Sequence, residues 1–469
     1  FRSERSGGFL YNALSNVLLQ LDERHYRLLT GLRDGGGEPI LACADEGELP
    51  PAPADGFLRL LAQRHVLVED GEEEAILLER RRRRDAAYRE RSLLDLTICP
   101  TLACNFRCTY CYQQSQGDAQ PMSGETIHQL ARFVADHEGV DRLSVCWYGG
   151  EPTLAFAAIR EITDRLRSLD ISFCGADMIT NGYLLDRTWI GALDDMGIGR
   201  LQVTLDGPQP VHDARRLTAG GGPTFHRILR NLDQLMASTW TGECRVRVNV
   251  DTHNVNDYLS LRSYLLERYA GTRLGVYAGR VSGVSGQGRE ACRLDATDWA
   301  ELTLSLYREA HITPAGGFFP DPEPLLSCTA AMANAYVVGP SGELYSCWET
   351  VGRPDEAVGH VSPGRRPNHE WMPAAHDDAG AIYPHEWCRR CPVLPICAAA
   401  ELSRCTGGGR TLCAATDTCS LYRDYLIPYL EAYYDQYLTR ELCEQVAGSA
   451  AHTGEPLAYR EIQPPATGP

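Results

Sequence analysis

Residues 93–111 read LLDLTICPTLACNFRCTYC. The run up to Cys99 is short, apolar and partly β-branched, and Pro100 closes it, which predicts a buried strand. A loop follows at once and carries Cys104, Cys108 and Cys111 in a C-x3-C-x2-C pattern. Three thiolates in one short loop suffice for three irons of a cubic [4Fe–4S] cluster, leaving the fourth iron open to a substrate or cofactor. A three-thiol zinc site awaiting a fourth ligand is the alternative.

Outward from this stretch the chain alternates. Strand-like runs recur at 142–148, 172–180, 200–206, 244–250 and 273–279, with amphipathic helical patterns at 125–137, 224–237 and 296–311. Short β-rich runs between amphipathic helices indicate parallel βα units, hence an α/β fold. Six units fit a partial (β/α)6 barrel over 93–311 better than a complete eight-unit one, and a doubly wound sheet is the competing arrangement. In a barrel the loops after the strands form the mouth, so the three thiols stand at the catalytic face.

The flanks read differently. Residues 1–92 form a small α+β module with helical patterns in 15–35 and 56–71, then a short hairpin. Arg80 to Arg84, following Glu72 to Glu74, read as a solvated helical connector. Residues 312–420 are loop-rich with little apolar periodicity. Residues 421–447 form a Tyr-rich helix, its tyrosines a packing face, with a kink or break at Pro428. Residues 448–469 are expected to be a flexible tail.

Composition sets limits. The chain has 469 residues, a formal charge of -17, 43% hydrophobic and 23% charged residues, and no lysine. These values fit a globular protein and exclude a collagen-like or mainly disordered one. The acidic balance argues against nucleic acid as a partner. No apolar run is long enough to span a membrane, and the first residues lack a signal-peptide pattern, so a cytoplasmic setting is expected. Eighteen cysteines are anomalous for a chain this long. Such thiols point to metal. Eight of them, Cys328, Cys347, Cys388, Cys391, Cys397, Cys405, Cys413 and Cys419, lie in the loop-rich region, enough for two four-ligand clusters. Seven scattered ones (Cys43, Cys99, Cys146, Cys174, Cys244, Cys292, Cys443) read most simply as small buried hydrophobes.

In its motifs the chain resembles the radical S-adenosylmethionine superfamily. The three-cysteine loop has Tyr110 before its last cysteine. The second strand is followed by Gly149-Gly150-Glu151-Pro152, the third strand ends in Thr180-Asn181-Gly182, the fourth leads into LDGPQPVHDARR (205–216), and Asn249 ends the fifth. The order of these pieces, each at a strand end, is what makes the resemblance specific. It implies a cluster on Cys104, Cys108 and Cys111 that binds S-adenosylmethionine and generates a 5′-deoxyadenosyl radical. Tyr110, Gly149, Gly150, Glu151, Pro152, Thr180, Asn181, Asn249 and Arg215 are the implied cofactor contacts; pairing with substrate or a structural ion pair are the other roles open to Arg215.

The later cysteines resemble the SPASM extension, C-x9-15-G-x4-C followed by C-x2-C-x5-C. That resemblance implies two auxiliary [4Fe–4S] clusters, the outer on Cys388, Cys391, Cys397 and Cys419, the inner using Cys328 and Cys347. The family's next cysteine position holds Glu401 here: either Cys405 replaces it through a longer loop or Glu401 itself ligates, and Cys413 either completes the inner set or is free, with Cys405 and Cys413 the favoured ligands. The whole resembles a SPASM peptide or protein maturase. Such a likeness implies oxidative crosslinking (C–C, ether or thioether) of a ribosomally made precursor peptide, with flavodoxin or ferredoxin as reductant. The amino-terminal module resembles a winged-helix recognition domain, implying that a leader peptide adds to its sheet edge. A formylglycine-forming maturase, a peptide epimerase and a non-catalytic iron–sulfur or zinc scaffold are the alternatives. The catalytic base is not identified; Asp206, His212, Glu349 and Glu401 are candidates.

Overall fold

The structure, a computed structural model, describes residues 1–3, 7–34, 51–89, 92–113, 120–281, 292–321, 329, 332, 334–364, 390–397, 418–446 and 459–462.

The amino-terminal module opens with strands β1 (Arg2–Ser3), β2 (Gly7–Asn12) and β3 (Val17–Leu21), then helices α1 (Glu23–Asp34), α2 (Pro51–Gln63) and α3 (Glu72–Arg89). Two expectations fail here. The helical pattern read from residue 15 is split: Val17–Leu21 is a strand and the helix begins after Asp22, whose carboxylate accepts from the His25 backbone N–H at 2.8 Å. A short apolar run satisfies either periodicity, and the capping Asp decides. The hairpin expected after α2 is the helix α3, which carries the arginine run and is braced by Glu79–Arg83 one turn apart.

The centre follows the predicted alternation closely. It runs β4 (Leu93–Ile98), β5 (Phe106–Cys108), α4 (Gly124–Ala135), β6 (Arg142–Trp147), α5 (Phe156–Arg167), β7 (Ser172–Thr180), α6 (Arg187–Ala192) and β8 (Ile198–Thr204). It continues with α7 (Gln209–Arg215), β9 (Arg216–Thr218), α8 (Phe225–Met236), β10 (Glu243–Val250), α9 (Tyr258–Arg268), β11 (Leu274–Arg280) and α10 (Ala296–Ala310). Then β12 (Ala335–Val338), β13 (Glu343–Tyr345) and β14 (Gly359–His360) extend one large sheet of order β11-β10-β8-β7-β6-β4-β12-β13-β14. The six strands from β4 to β11 pair in parallel with chain order kept, and β11 and β4 do not meet, so the barrel is partial. The sheet belongs to the α/β class, and its outer helices bury one stripe each. In α8 that stripe is Phe225, Ile228, Leu229, Leu232 and Leu235. Each such side chain contributes about 1.5–3 kcal/mol when removed from water.

Beyond the sheet, α11 (Thr418–Val446) runs unbroken through Pro428 and packs on α10, where Thr303 Oγ1 meets the Tyr429 hydroxyl at 2.7 Å. Tyr429, Tyr433 and Tyr434 are buried there. Within the stretch expected to be a flexible tail, the four described residues are instead a strand: β15 (Tyr459–Ile462) pairs antiparallel with β3 as the fourth strand of the amino-terminal sheet. Among the described residues no helix is long and apolar enough to cross a membrane.

Candidate active site

Every motif singled out in the central domain ends at one rim of the parallel sheet, around a cavity of about 1140 Å³. Cys104, Cys108 and Cys111 line one wall. Cys108 sits in β5, which pairs antiparallel with β9 so that Cys108 faces Arg216 across the ladder. The Cys104 sulfur accepts from the Phe106 backbone N–H at 3.4 Å. Burial, and then the charge of Glu151, push the Cys104 thiol up to about 12. Burial also raises Cys108, against the guanidinium of Arg216.

The glycine pair after β6 is pressed onto the cysteine loop. A Cβ on Gly149 would come within 2.4 Å of the Thr101 carbonyl, and one on Gly150 within 2.2 Å of that of Ala103. The Glu151 N–H donates to that same Ala103 carbonyl at 2.8 Å. Only residues without a side chain let the two backbones meet this closely.

Glu151 is buried, and its carboxylate ties the segment after β6 to the end of β7. One oxygen accepts from the Thr153 N–H at 3.0 Å and the Thr180 hydroxyl at 2.6 Å, the other from the Asn181 N–H at 2.7 Å. Asn181 in turn donates from Nδ2 to Asn105 at 2.8 Å, inside the cysteine loop. Glu151, Thr180 and Asn181 line the cavity as well. Pro152 is buried at the start of the short 3₁₀ turn that follows.

Tyr110 anchors the far side of the loop. Its hydroxyl donates to Asp206 at 2.5 Å and accepts from Arg216 at 2.5 Å and Asn249 at 3.0 Å. Arg215 lies over its ring, 5.0 Å from the centroid, and grips Asp251 through Nη1 at 2.8 and 2.7 Å. Arg215 is thus spent in a buried ion pair, while its neighbour Arg216 lines the cavity. Sequence reading named Arg215 and missed Arg216 and Asp251. The doubled arginine in HDARR, and the Asp two residues after Asn249, were the available signals.

Of the proposed bases, Asp206 and His212 are buried and committed. His212 accepts from the Asp206 N–H at 3.1 Å and faces the Thr224 hydroxyl at 2.9 Å. Burial, and then the charges of Arg216 and Arg215, hold its imidazole well below its ordinary value. Glu349 lines the cavity, and Glu401 lies outside the described residues.

An aromatic wall was also missed. The hydroxyls of Tyr112 and Tyr148 meet, and Tyr148 packs on Trp348 with ring centroids 5.0 Å apart. Each adjoins a motif: Tyr112 follows Cys111, Tyr148 precedes Gly149, and Trp348 follows Cys347. Across the cavity Arg247 is held by Asn249 at 2.8 Å and lies against Gly279, where a Cβ would come within 2.5 Å of its guanidinium.

Residues 98–261 match the family model described as the Radical SAM superfamily. This stretch is a radical SAM domain. Its cofactors are a [4Fe–4S] cluster and S-adenosylmethionine. Two curated relatives each match part of the chain. A probable GTP 3′,8-cyclase of Sulfolobus acidocaldarius is 33% identical over 121 residues, which is 26% of this chain and 37% of that one. A cysteine-type anaerobic sulfatase-maturating enzyme of Clostridium perfringens is 28% identical over 148 residues, 29% of this chain and 39% of that one. The chain therefore spans under two fifths of these relatives' lengths. Among solved structures, native anSMEcpe with bound AdoMet and Cp18Cys peptide aligns with a TM-score of 0.58 at 19% identity, covering 73% of this chain and 99% of that one. That likeness gives the fold.

The residues fit the cofactors of such a domain. Three thiols share one wall of a cavity, and the buried Arg216, whose Nε has no hydrogen-bond partner, supplies a cation beside them for an anionic cluster. Among the described residues no three Cys, His, Asp or Glu side chains gather tightly enough for a single metal ion. A cubane takes one thiolate per iron and does not need that gathering.

The later cysteines are described in part. Cys347, Cys391 and Cys397 are thiols, Cys347 at the foot of the aromatic wall and Cys397 buried. Cys328, Cys388, Cys405 and Cys413, with the side chain of Cys419, lie outside the described residues. Of the scattered cysteines, Cys99 and Cys244 are buried as expected. Cys174 is exposed, Cys146 lines the cavity, and the Cys292 sulfur faces His253 Nε2 at 3.8 Å, so these three are not simple core hydrophobes. Cys43 and the side chain of Cys443 lie outside the described residues.

Proposed function

We propose that this radical SAM enzyme is a SPASM-type maturase that oxidatively crosslinks a ribosomally made peptide. The observation that carries the reading is the cavity. At about 1140 Å³ it exceeds the usual small-molecule site of about 300–1,000 Å³, leaving room for a peptide side chain beside S-adenosylmethionine. Its outer wall comes from Trp348 and Glu349, which directly follow a cysteine of the loop-rich region, so that region shapes the substrate space.

When bound, the cluster and S-adenosylmethionine supply a hydrogen-abstracting radical. The chain's own residues do the rest. Tyr110, Gly149, Gly150, Glu151, Thr180, Asn181 and Asn249 hold the cysteine loop and the cofactor. Arg216 offsets negative charge at the thiols. Tyr112, Tyr148 and Trp348 exclude water from the reacting side chain. Arg247 orients a peptide carbonyl or carboxylate, and Glu349 receives the proton released when the substrate is oxidised. Cys328, Cys347, Cys388, Cys391, Cys397, Cys405, Cys413 and Cys419 would hold two auxiliary clusters, which would supply an acceptor for the electron lost by the oxidised product. A flavodoxin or ferredoxin serves as reductant, and the amino-terminal module receives the leader.

A second reading, oxidation of a peptidyl Ser or Cys to formylglycine, is favoured by the 28% identity to a sulfatase-maturating enzyme over 148 residues. The test is turnover with S-adenosylmethionine, dithionite and the peptide encoded beside this chain. A product lighter by two hydrogens with a new crosslink in fragmentation supports crosslinking. Oxidation confined to one Ser or Cys, giving an aldehyde that a hydrazide captures, transfers the assignment to the second reading. A mass-neutral product with solvent deuterium overturns both in favour of epimerisation.

A further inference from the structure

The amino-terminal sheet is not closed by its own module. Its order is β1-β2-β3-β15, so the free edge of β3 is filled by a strand from the far end of the chain. The register is antiparallel, from Tyr459 opposite Leu21 to Ile462 opposite Leu18. An unpaired edge is a template for strand addition, in which the main-chain ladder gives affinity and alternate side chains give specificity.

Both sets of alternate side chains have prepared partners. Toward α1 and α2, the Tyr459 ring packs on Phe57 and His25, with centroids 5.0 and 5.5 Å away. On that face Glu461 also pairs with Arg64 at 2.8 Å. Toward α11, Ile462 is buried in the cluster of Phe9, Leu18 and Tyr434. Arg460 donates to the Tyr437 hydroxyl at 2.6 Å and pairs with Glu441. The strand therefore lies in a trough walled by helices on both sides, with an aromatic seat and an acid-binding cation on one wall and an aliphatic seat and an acidic one on the other.

The resident is short. Four residues form the ladder, and Pro464 and Pro465, which come next but one in sequence, have no N–H to extend it. Belonging to the same chain, such a segment competes for the edge intramolecularly and not from bulk solution. That suffices to keep the edge covered against the chain's own copies and against weak binders, yet a longer strand with more ladder bonds outcompetes it.

We infer that the β3 edge is a strand-accepting site covered by the chain's own Tyr459–Ile462, and that a peptide partner enters by displacing this strand. The partner's entering segment is extended, runs antiparallel to β3, and carries an aromatic side chain two residues before a carboxylate, with an aliphatic residue next. This rests on the peptide-maturase reading and adds to it a self-occupied, exchangeable docking edge.

The test needs neither cluster nor turnover, so its failure is distinct from a failure of that reading. The probe is a fluorescein-labelled synthetic peptide of residues 455–466 of this chain. Fluorescence anisotropy is measured with the full chain, with a chain ending at residue 454, and with a full-length Tyr459→Ala, Glu461→Arg variant that loosens the tail without removing it. Circular dichroism verifies that each is folded. The expected result is saturable binding to the truncated and double-substituted chains, at least tenfold tighter than to the unaltered chain. It weakens at least fivefold when the probe itself carries Tyr459→Ala. The inference is overturned if either altered chain, folded, binds the probe no better than the unaltered one. It is overturned equally if both altered chains unfold, because the strand is then a fixed part of the module and not an exchangeable cover.

Discussion

At the scale of single residues, two groups that look alike in sequence have opposite duties. His212 is buried with both ring nitrogens engaged, and its imidazole is held well below its ordinary value by burial and then by Arg216 and Arg215. It stays neutral and positions the Asp206 backbone, while the Asp206 carboxylate accepts from the Tyr110 hydroxyl and the Asn249 N–H. The folded imidazole resists a proton that the unfolded chain accepts below about pH 6.5. The unfolded state then binds more protons, so stability is intact above that pH and falls as pH drops below it. Denaturant midpoints at pH 7.5 and 5.5 are expected to show about 1.4 kcal/mol of extra acid loss in the unaltered chain relative to His212→Gln, one unit below the ordinary imidazole value. Equal losses in both would remove His212 from this role. Glu349 faces the cavity instead. Glu349→Gln is expected to lower peptide product at least tenfold, in line with general-base contributions of about 10²–10⁴, while 5′-deoxyadenosine still forms. Parallel loss of both products would mean that Glu349 serves the cofactor.

At the scale of elements, the contact between the cysteine loop and the segment after β6 is tightly constrained. Gly150→Ala places a methyl carbon against the Leu102 and Ala103 carbonyls, backbone that has nowhere to yield. The expected outcome is a folded chain whose iron content after anaerobic reconstitution falls to less than half, read by iron and sulfide analysis. Gly220→Ala, with open space around the added carbon, serves as the matched control and is expected to retain its iron. Sequence legibility divides along the same boundary. The central strands were readable because each is a short run with apolar, often β-branched residues at alternate positions, as in β10, and the first five were followed by a motif. β3 was misread because VLLQL satisfies a buried helix as readily as a strand. β15 was unreadable because nothing local in YREI announces a partner on the opposite end of the chain. Site residues were legible where a motif is contiguous, as with Glu151. They were not legible where a role depends on which of two neighbours turns inward, as with Arg215 and Arg216.

At the scale of the whole molecule, the partial barrel brings the ends of its successive strands to one cavity, and β12 to β14 prolong the sheet past β4 so that Trp348 and Glu349 reach the same space. α11 and β15 then tie the far end of the chain back to the amino-terminal module. The account depends on three thiols, Cys104, Cys108 and Cys111, acting together as the seat of a cluster that cleaves S-adenosylmethionine. The most direct test is to reconstitute the chain anaerobically with iron and sulfide, with a Cys104→Ala, Cys108→Ala, Cys111→Ala variant alongside. Both are reduced with dithionite, and the paramagnetic spectrum is recorded with and without S-adenosylmethionine. The account predicts a reduced [4Fe–4S] signal that shifts on adding S-adenosylmethionine, with 5′-deoxyadenosine released, and predicts that the shift and the release vanish in the triple variant. Tetrahedral zinc in the unaltered chain with no such signal, or 5′-deoxyadenosine formed equally well by the triple variant, would contradict it.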